Sequence, residues 1–592
     1  MPSNMNYPGV YRKETDNSQV TSTNTGTYIA TMGRGTKGIA NAKVLVATAK
    51  ELISTFGNPV VSGSYPLLKS VDYGLYSALE ALKETSNVWY VRLTDGTEQY
   101  SNVDLSGSTT ATAIYANVNA TASSQYSSIG GEYAWGNTDT NIYDLRNATA
   151  PTTIRFAGIG PGKYANNYAI GVYTVACSAD ASTSAFFDWE TAYDTTTSTT
   201  PKYPKIIKVN VYTKEDTESF NTDWWRGTSA SPVETFYCST DINMIDNFGN
   251  SLFIEDVING VSEYVYVKSS LEDGTLPPYT SIALGLQNGA DSTTLNAPIV
   301  ADSVWSFFEN KETSLLDVAI LVPRATNLTG TNYTSLTEIA AVDSLISNRL
   351  DFVAVVQGAS YSSVNYNTIK TDNTLVQGII VDNPSYFAKY VGWTLIYDSY
   401  NSSRVYIPNS IYAGAIFARV DLQGAPWDAP AGVDRGIIPS GKQNVDVTPS
   451  LGGKLYDLNL NTIKYINGTG NVIWGQKTAQ LKVTARNRLN VRRCLLYIEN
   501  SVEKILNNYL FKANTTKEQE KISSVINTFM QGVLAGGGVQ SYKVVCDSTN
   551  NTTSTIANNI LNVDLYVQPS YTIEFIKLNT IISADTVSVT EA

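Results

Sequence analysis

The chain has 592 residues, too many for one hydrophobic core, so about three or four domains are expected from size alone. With 43% hydrophobic and 16% charged residues it has the balance of a folded, sparsely charged protein and not of a disordered one. A formal net charge of −12 argues against general nucleic-acid binding, and the absence of histidine excludes Ser-His-Asp and Cys-His catalysis and His-containing zinc sites.

Residues 1–24 are polar apart from the patch Tyr7–Tyr11 and read as an N-terminal arm. The opening has neither a basic nor an apolar leader segment, and no run approaches 18 apolar residues. A chain made and used in the cytoplasm, or released by lysis, is therefore expected, with no membrane insertion. Residues 25–96 alternate strands and helices: strands at Thr27–Met32, Lys43–Val46 and Val88–Leu93, a capping box Thr48-x-x-Glu51 opening a helix that ends at Gly57, and a longer helix marked by Leu67, Leu68, Val71, Leu75, Leu79 and Leu82. The stretch Gly33 to Gly38 is formally G-x-G-x-x-G. It leads into strand-like sequence and not a helix N-terminus, so a glycine turn is the reading and a dinucleotide site is not.

Residues 97–150 are rich in Ser, Thr, Ala, Asn and Tyr and read as an outward β- or loop-rich insertion. Gly158 to Lys163 misses the phosphate-loop spacing and reads as a turn into a strand. Short β runs at Ile206–Tyr212, Thr235–Cys238, Ser251–Ile254 and Glu263–Val267 make 151–300 a β-rich domain. Glu255 and Asp256, adjacent on such a strand, would point to opposite faces and form no catalytic pair. The four cysteines, Cys177, Cys238, Cys494 and Cys546, lack C-x-x-C spacing and read as buried free thiols.

Residues 301–424 read as an α/β domain. It has a buried strand at Leu315–Val322, a helix from Ser335-x-x-Glu338 to Asn348 and a strand at Phe352–Val356, a βαβ unit with parallel strands. A polar loop over Ser360–Asn373, a strand over Tyr390–Tyr397 and a helix from Pro408 to Arg419 follow. The proline-bearing loop Gln423–Gly436 suits a packed corner. In 425–572, the apolar spacing of Val491, Leu495, Ile498, Val502, Ile505, Tyr509 and Leu510 predicts a docked amphipathic helix over Leu489–Phe511, with Arg493, Glu499, Glu503 and Lys504 opposite. Thr515-x-x-Glu518 opens a second helix stopped by Gly536, and strands are expected at Ser541–Asp547, Ile560–Val567 and Tyr571–Ile582, the last passing into a C-terminal strand and arm over 573–592.

The loop APWDAPAGVDRG (425–436), the strand NVIWGQKT (471–478), NVRR leading into YIENSVEK, and VVCD (544–547) resemble, in this order, the C-terminal half of contractile tail sheath proteins. PGVY near the start and the GRG turn followed by VLV are similar to the N-terminal part of the same family. The resemblance implies a multidomain α+β/α/β fold: an α/β inner core built from N-terminal and C-terminal parts, inserted β-rich middle domains, and extended terminal arms. It also implies a homo-oligomeric helical sheath of a virion tail, assembled in the host cytoplasm around an inner tube, meeting baseplate and tail terminator proteins, with no cofactor and no direct contact with nucleic acid. Inter-subunit strand exchange is expected at Tyr7, Val10, Tyr11, Ile573, Phe575, Ile576 and Leu578, and Arg492, Arg493, Lys504 and Lys512 are candidates for meeting acidic tube residues. The alternatives are a carbohydrate-active hydrolase, whose paired carboxylates no spacing reveals, and a surface-layer or adhesin protein, which Ser/Thr/Asn richness permits.

Overall fold

Strands from both ends of the first 400 residues meet in one sheet. The computed structural model describes residues 26–62, 70–94, 98–105, 114–115, 154–174, 205–213, 231–246, 248–277, 284–291, 304–323 and 334–578. Its central six-stranded sheet runs Phe387–Tyr390, Val353–Gln357, Val318–Leu321, Ile29–Gly33, Val88–Arg92, Lys43–Val46. All neighbours are parallel except the last pair, and the middle strand Ile29–Gly33 sits between Val318–Leu321 and Val88–Arg92. Parallel strands covered on both faces explain the unbroken apolar runs such as VAIL and VAVVQ. Residues 25–96 and 301–424, expected as separate units, thus share a sheet.

Helices Tyr73–Ala81 and Asn409–Gln423 pack on one another and on the central strands. Glycine sets the contact: a Cβ on Gly74 would lie 2.1 Å from the carbonyl oxygen of Met32, so helix and strand touch backbone to backbone. Thr48 caps the helix Ala49–Phe56 by accepting from the amide of Glu51 at 3.1 Å, while the Glu51 carboxylate accepts from Ala47 N–H at 2.9 Å. Thr48→Ala is expected to cost about 1 kcal/mol, read as a small fall in thermal midpoint with assembly unchanged.

Several expected elements take another form. The helix expected from Leu67 starts at Tyr73, capped by Asp72, because Ser70–Val71 pairs as a strand with Val61–Ser62; Leu67 and Leu68 lie outside the described residues. Ser335 precedes the helix Leu336–Arg349 without a capping box: Glu338 is fully buried and accepts from the indole N–H of Trp305 at 3.2 Å. The polar stretch after Ser360 contains a helix, Tyr366–Ile379, capped by Asn365. Only Ile369, Asn373 and Val376 of it are buried, too little apolar surface to betray a period. The strand over Tyr390–Tyr397 is broken at Gly392, whose φ of +91° sends Trp393–Asp398 into a separate sheet with Ser403–Pro408 and Lys442–Gln443.

The β-rich domain has a four-stranded sheet (Glu234–Ser239, Ile206–Thr213, Tyr168–Tyr173, Leu284–Gly285) and a three-stranded one (Val265–Ser269, Ile154–Gly158, Asn102–Asp104). They share a core that includes Phe156, Ile170, Val209 and Val267. Asn102–Asp104 therefore belongs to this domain and not to an insertion; most of 97–150 lies outside the described residues. Ser251–Ile254 is not a strand: Ile254–Ile258 is a short helix, and its Glu255 is held by Lys268 at 2.8 Å and by the Ser269 amide.

Candidate assembly surface

The helix Leu489–Asn507 is shared between two cores. Leu489 and Leu496 join the core under the central sheet, while Cys494, Ile498 and Ile505 join a second core with Ile522, Ile526, Met530 and Val533 of the helix Thr516–Ala535. A helix buried on two sides has little free surface for cations. Arg492 and Arg493, expected to face a tube, are 2% and 6% exposed, which corrects that expectation. Arg492 lies 4.1 Å from the ring centre of Tyr386 and bonds Glu499 at 2.8 Å. Arg493 stacks on Phe417 and bonds Asp421 at 2.6 Å. Lys504 and Lys512 are exposed.

Asp421 ties this helix to the root of the N-terminal arm, because its other oxygen accepts from the Thr27 hydroxyl at 2.7 Å. One residue on, Tyr28 N–H donates to Asp317 at 2.8 Å, and burial pushes the Asp317 carboxyl up to about 6. Tyr7, Val10 and Tyr11 lie outside the described residues.

Beyond the second helix, Val539–Val545 and Asp564–Pro569 form an antiparallel hairpin. Tyr542, Val544, Leu565 and Val567 pack inward on the second core. Among the described residues the hairpin is a two-stranded sheet, so neither outer edge has a strand beside it. The loop 425–436 is a packed corner: Trp427 donates to the carbonyl of Gly536 at 2.9 Å, and its ring lies 5.7 Å from that of Tyr497.

Of the strand expected over Tyr571–Ile582, residues 571–578 belong to no sheet among the described residues, and 579–582 lie outside them. Alternate side chains hold this tail. Glu574 accepts from Arg488 Nε at 2.6 Å and Nη2 at 2.9 Å, and also from the hydroxyl of Tyr456, while Gln476 bonds Thr572 and Glu574. The flanking apolar side chains Ile573, Phe575, Ile576 and Leu578 are 77–87% exposed. Sequence reasoning missed this clamp, whose members are scattered from Tyr456 to Glu574. The one local signal was a lone carboxylate between Ile573 and Phe575.

The glycine motifs hold no ligand geometry. Asp72 accepts from the amides of Arg34 and Gly35 at 3.2 and 2.9 Å, occupying the N–H groups a phosphate would need. In the second turn, the amides of Gly162 and Lys163 donate to Gln99 and Asp291, and a Cβ on Gly160 would lie 1.8 Å from the carbonyl oxygen of Gly38. The two turns form the joint between the central sheet and the β-rich domain. Cys238, Cys494 and Cys546 are buried free thiols, with burial pushing Cys494 up to about 12, and Cys177 lies outside the described residues. Among the described residues there is no cluster suited to a metal ion and no helix long and apolar enough to cross a membrane.

Residues 484–583, which hold the docked helical pair, the open-edged hairpin and the pinned extended tail, match the family model described as the phage tail sheath C-terminal domain. The chain is similar to contractile tail sheath proteins. It is 27% identical over 368 residues to the tail sheath protein of Enterobacteria phage T4, a match covering 60% of this chain and 54% of that protein. It is 31% identical over 205 residues to the tail sheath protein of Vibrio phage KVP40, covering 34% and 31%. The chain thus spans about half or less of the length of these relatives. In fold it is similar to the sheath tail protein of Listeria innocua, with a TM-score of 0.51, 10% identity and 92% of each chain covered.

Proposed function

We propose that the chain is a structural subunit of a contractile tail sheath. It polymerises helically around an inner tube and contracts from a metastable extended state, driving the tube through a cell envelope. The observation that carries this reading is the open-edged hairpin beside an extended tail that, among the described residues, has no strand partner. Each has backbone groups to offer the other, and the clamp at Glu574 holds the tail off its own hairpin, so pairing is directed to another copy. A contact of this kind is heterologous: one surface on each copy meets a different surface on the next, and repetition along a screw axis gives a helical tube.

Within this reading the virion tail is the site of action, the tube, baseplate and tail terminator are the other partners, and neither cofactor nor catalysis is needed. The work comes from the difference between two packings of the same subunits, with a kinetic barrier holding the loaded one. Tyr7, Val10 and Tyr11 at one end, and Ile573, Phe575, Ile576 and Leu578 at the other, are the strand-exchange residues. Lys504 and Lys512 remain the tube-facing candidates. Negative-stain microscopy of the full chain beside forms lacking residues 1–20 or 575–592 tests the assembly. Striated tubes from the full chain, lost on trimming either arm, are expected; tubes persisting in each trimmed form would refute strand exchange.

A further inference from the structure

The receptor for Glu574 is fixed by bonds that do not involve the tail. Tyr456 comes from the helix Pro449–Asp457, Gln476 and Lys477 follow the strand Gly470–Trp474, and Arg488 precedes the helix Leu489–Asn507. Gln476 is buried, and its carbonyl accepts from Leu489 N–H at 2.8 Å. Lys477 N–H donates to the Asn461 side chain at 2.7 Å, and its ammonium donates to the carbonyl of Tyr456 at 2.8 Å. Both cations stand over the Tyr456 ring, Lys477 at 3.9 Å and Arg488 at 5.8 Å from its centre. Such a site is shaped for one carboxylate.

On the tail side the fit is periodic. Thr572 and Glu574 are half-buried and bond Gln476, while Tyr571, Ile573 and Phe575 are exposed, the Phe575 ring standing edge-on to Tyr456 at 6.5 Å. Upstream, Ser570 N–H donates to Gly538 at 3.2 Å and Asn490 donates to the carbonyl of Ser570 at 3.4 Å, so the stretch from hairpin to clamp is tied at both ends. Apolar alternation alone would let a strand slip by two residues and keep every side chain on its face. A carboxylate gripped by both guanidinium nitrogens allows one position.

We propose that Glu574 and its receptor form a register latch: by holding the root of the tail at one residue, they fix which tail residues meet the hairpin edge of another copy. The inference rests on the strand-exchange reading. Tyr456, Gln476 and Arg488 are positioning residues in it, and the Thr572-x-Glu574 spacing is what they measure.

The tests use the full chain. Lys577 is exposed, and trypsin must draw the residues before it off the body to cut there. Glu574→Gln keeps the shape and removes the charge, so cleavage after Lys577, read by mass spectrometry, should run about tenfold faster or more. Arg488→Gln leaves the cleaved sequence untouched and should give the same rise. Unchanged rates in both overturn the latch. For register, Glu574→Thr with Ile576→Glu moves the Thr-x-Glu motif two residues on, the slack being taken up before the clamp. With p-benzoylphenylalanine at position 578, crosslinks in assembled tubes should fall two residues away along the neighbouring copy compared with the parent, while Glu574→Gln, unguided, keeps the parent's crosslinks. Crosslinks unmoved in the shifted variant overturn the latch and leave the sheath reading standing. A parent chain that forms no tubes, alone or with a tube protein, sinks the sheath reading and the register role with it, even where the cleavage rates rise.

Discussion

Replacing Arg493 with alanine is expected to cost about 3–5 kcal/mol, because it strands a partly buried carboxylate. Asp421 would keep only the Thr27 hydroxyl, and the guanidinium that stacks on Phe417 and bonds its carbonyl at 3.3 Å would be gone. The loss should be local as well as large, since one side chain joins the helix Leu489–Asn507, the helix Asn409–Gln423 and the root of the N-terminal arm. Hydrogen exchange of the amides in 489–507 reads it directly. The double variant Arg493→Met with Asp421→Asn removes both charges, keeps most of the volume, and should recover much of the stability. If Arg493→Ala lowers protection by less than about 1 kcal/mol, the pair is solvated and the clasp is not a structural tie.

Where the local sequence dominates, it predicts the structure well. The strand Lys43–Val46, the capped helix after Thr48 and the helix after Thr515 form where periodicity and capping placed them. Reading fails where distant groups decide. Arg493 lies on the polar side of its helix by spacing alone, yet Phe417 and Asp421 of the helix Asn409–Gln423 enclose it. Glu338 stands at the third position of a capping box but is drawn inward by Trp305. The alternation of Tyr571–Ile582 is genuine strand chemistry, and 571–578 stay outside any sheet because Arg488, Tyr456 and Gln476 hold the tail by its polar side chains. A segment can have the pattern of a strand while its partner is absent from its own chain. That is how an exchanged strand would look in an isolated subunit.

The buried Lys389 makes a second large effect testable. It is fully enclosed in the strand Phe387–Tyr390, and its ammonium donates to Asn373 at 2.7 Å, Gln377 at 2.6 Å and the carbonyl of Leu458 at 3.3 Å, all neutral acceptors. Three donors meet three acceptors, but no carboxylate offsets the lost hydration, and burial pushes the amine down to about 7. An unfolded lysine titrates near 10.4, so between about pH 7 and pH 10 the unfolded chain binds more protons and stability rises with pH. Below about pH 7 both states are protonated and the full cost of burial, on the order of 4 kcal/mol, remains. Lys389→Met keeps the length and removes the charge, leaving the Asn373 and Gln377 amides to find other partners. The variant should therefore exceed the parent in stability most at pH 6, with the gap closing towards pH 10, as read by urea midpoints at pH 6, 8 and 10. Parallel profiles across that range would show that the amine keeps an ordinary pKa in the fold. The same cage links the helix Tyr366–Ile379, the outer strand of the central sheet and the turn at Leu458. A lysine kept there at such cost specifies how those three pieces meet, where an apolar side chain would hold them together without fixing their register.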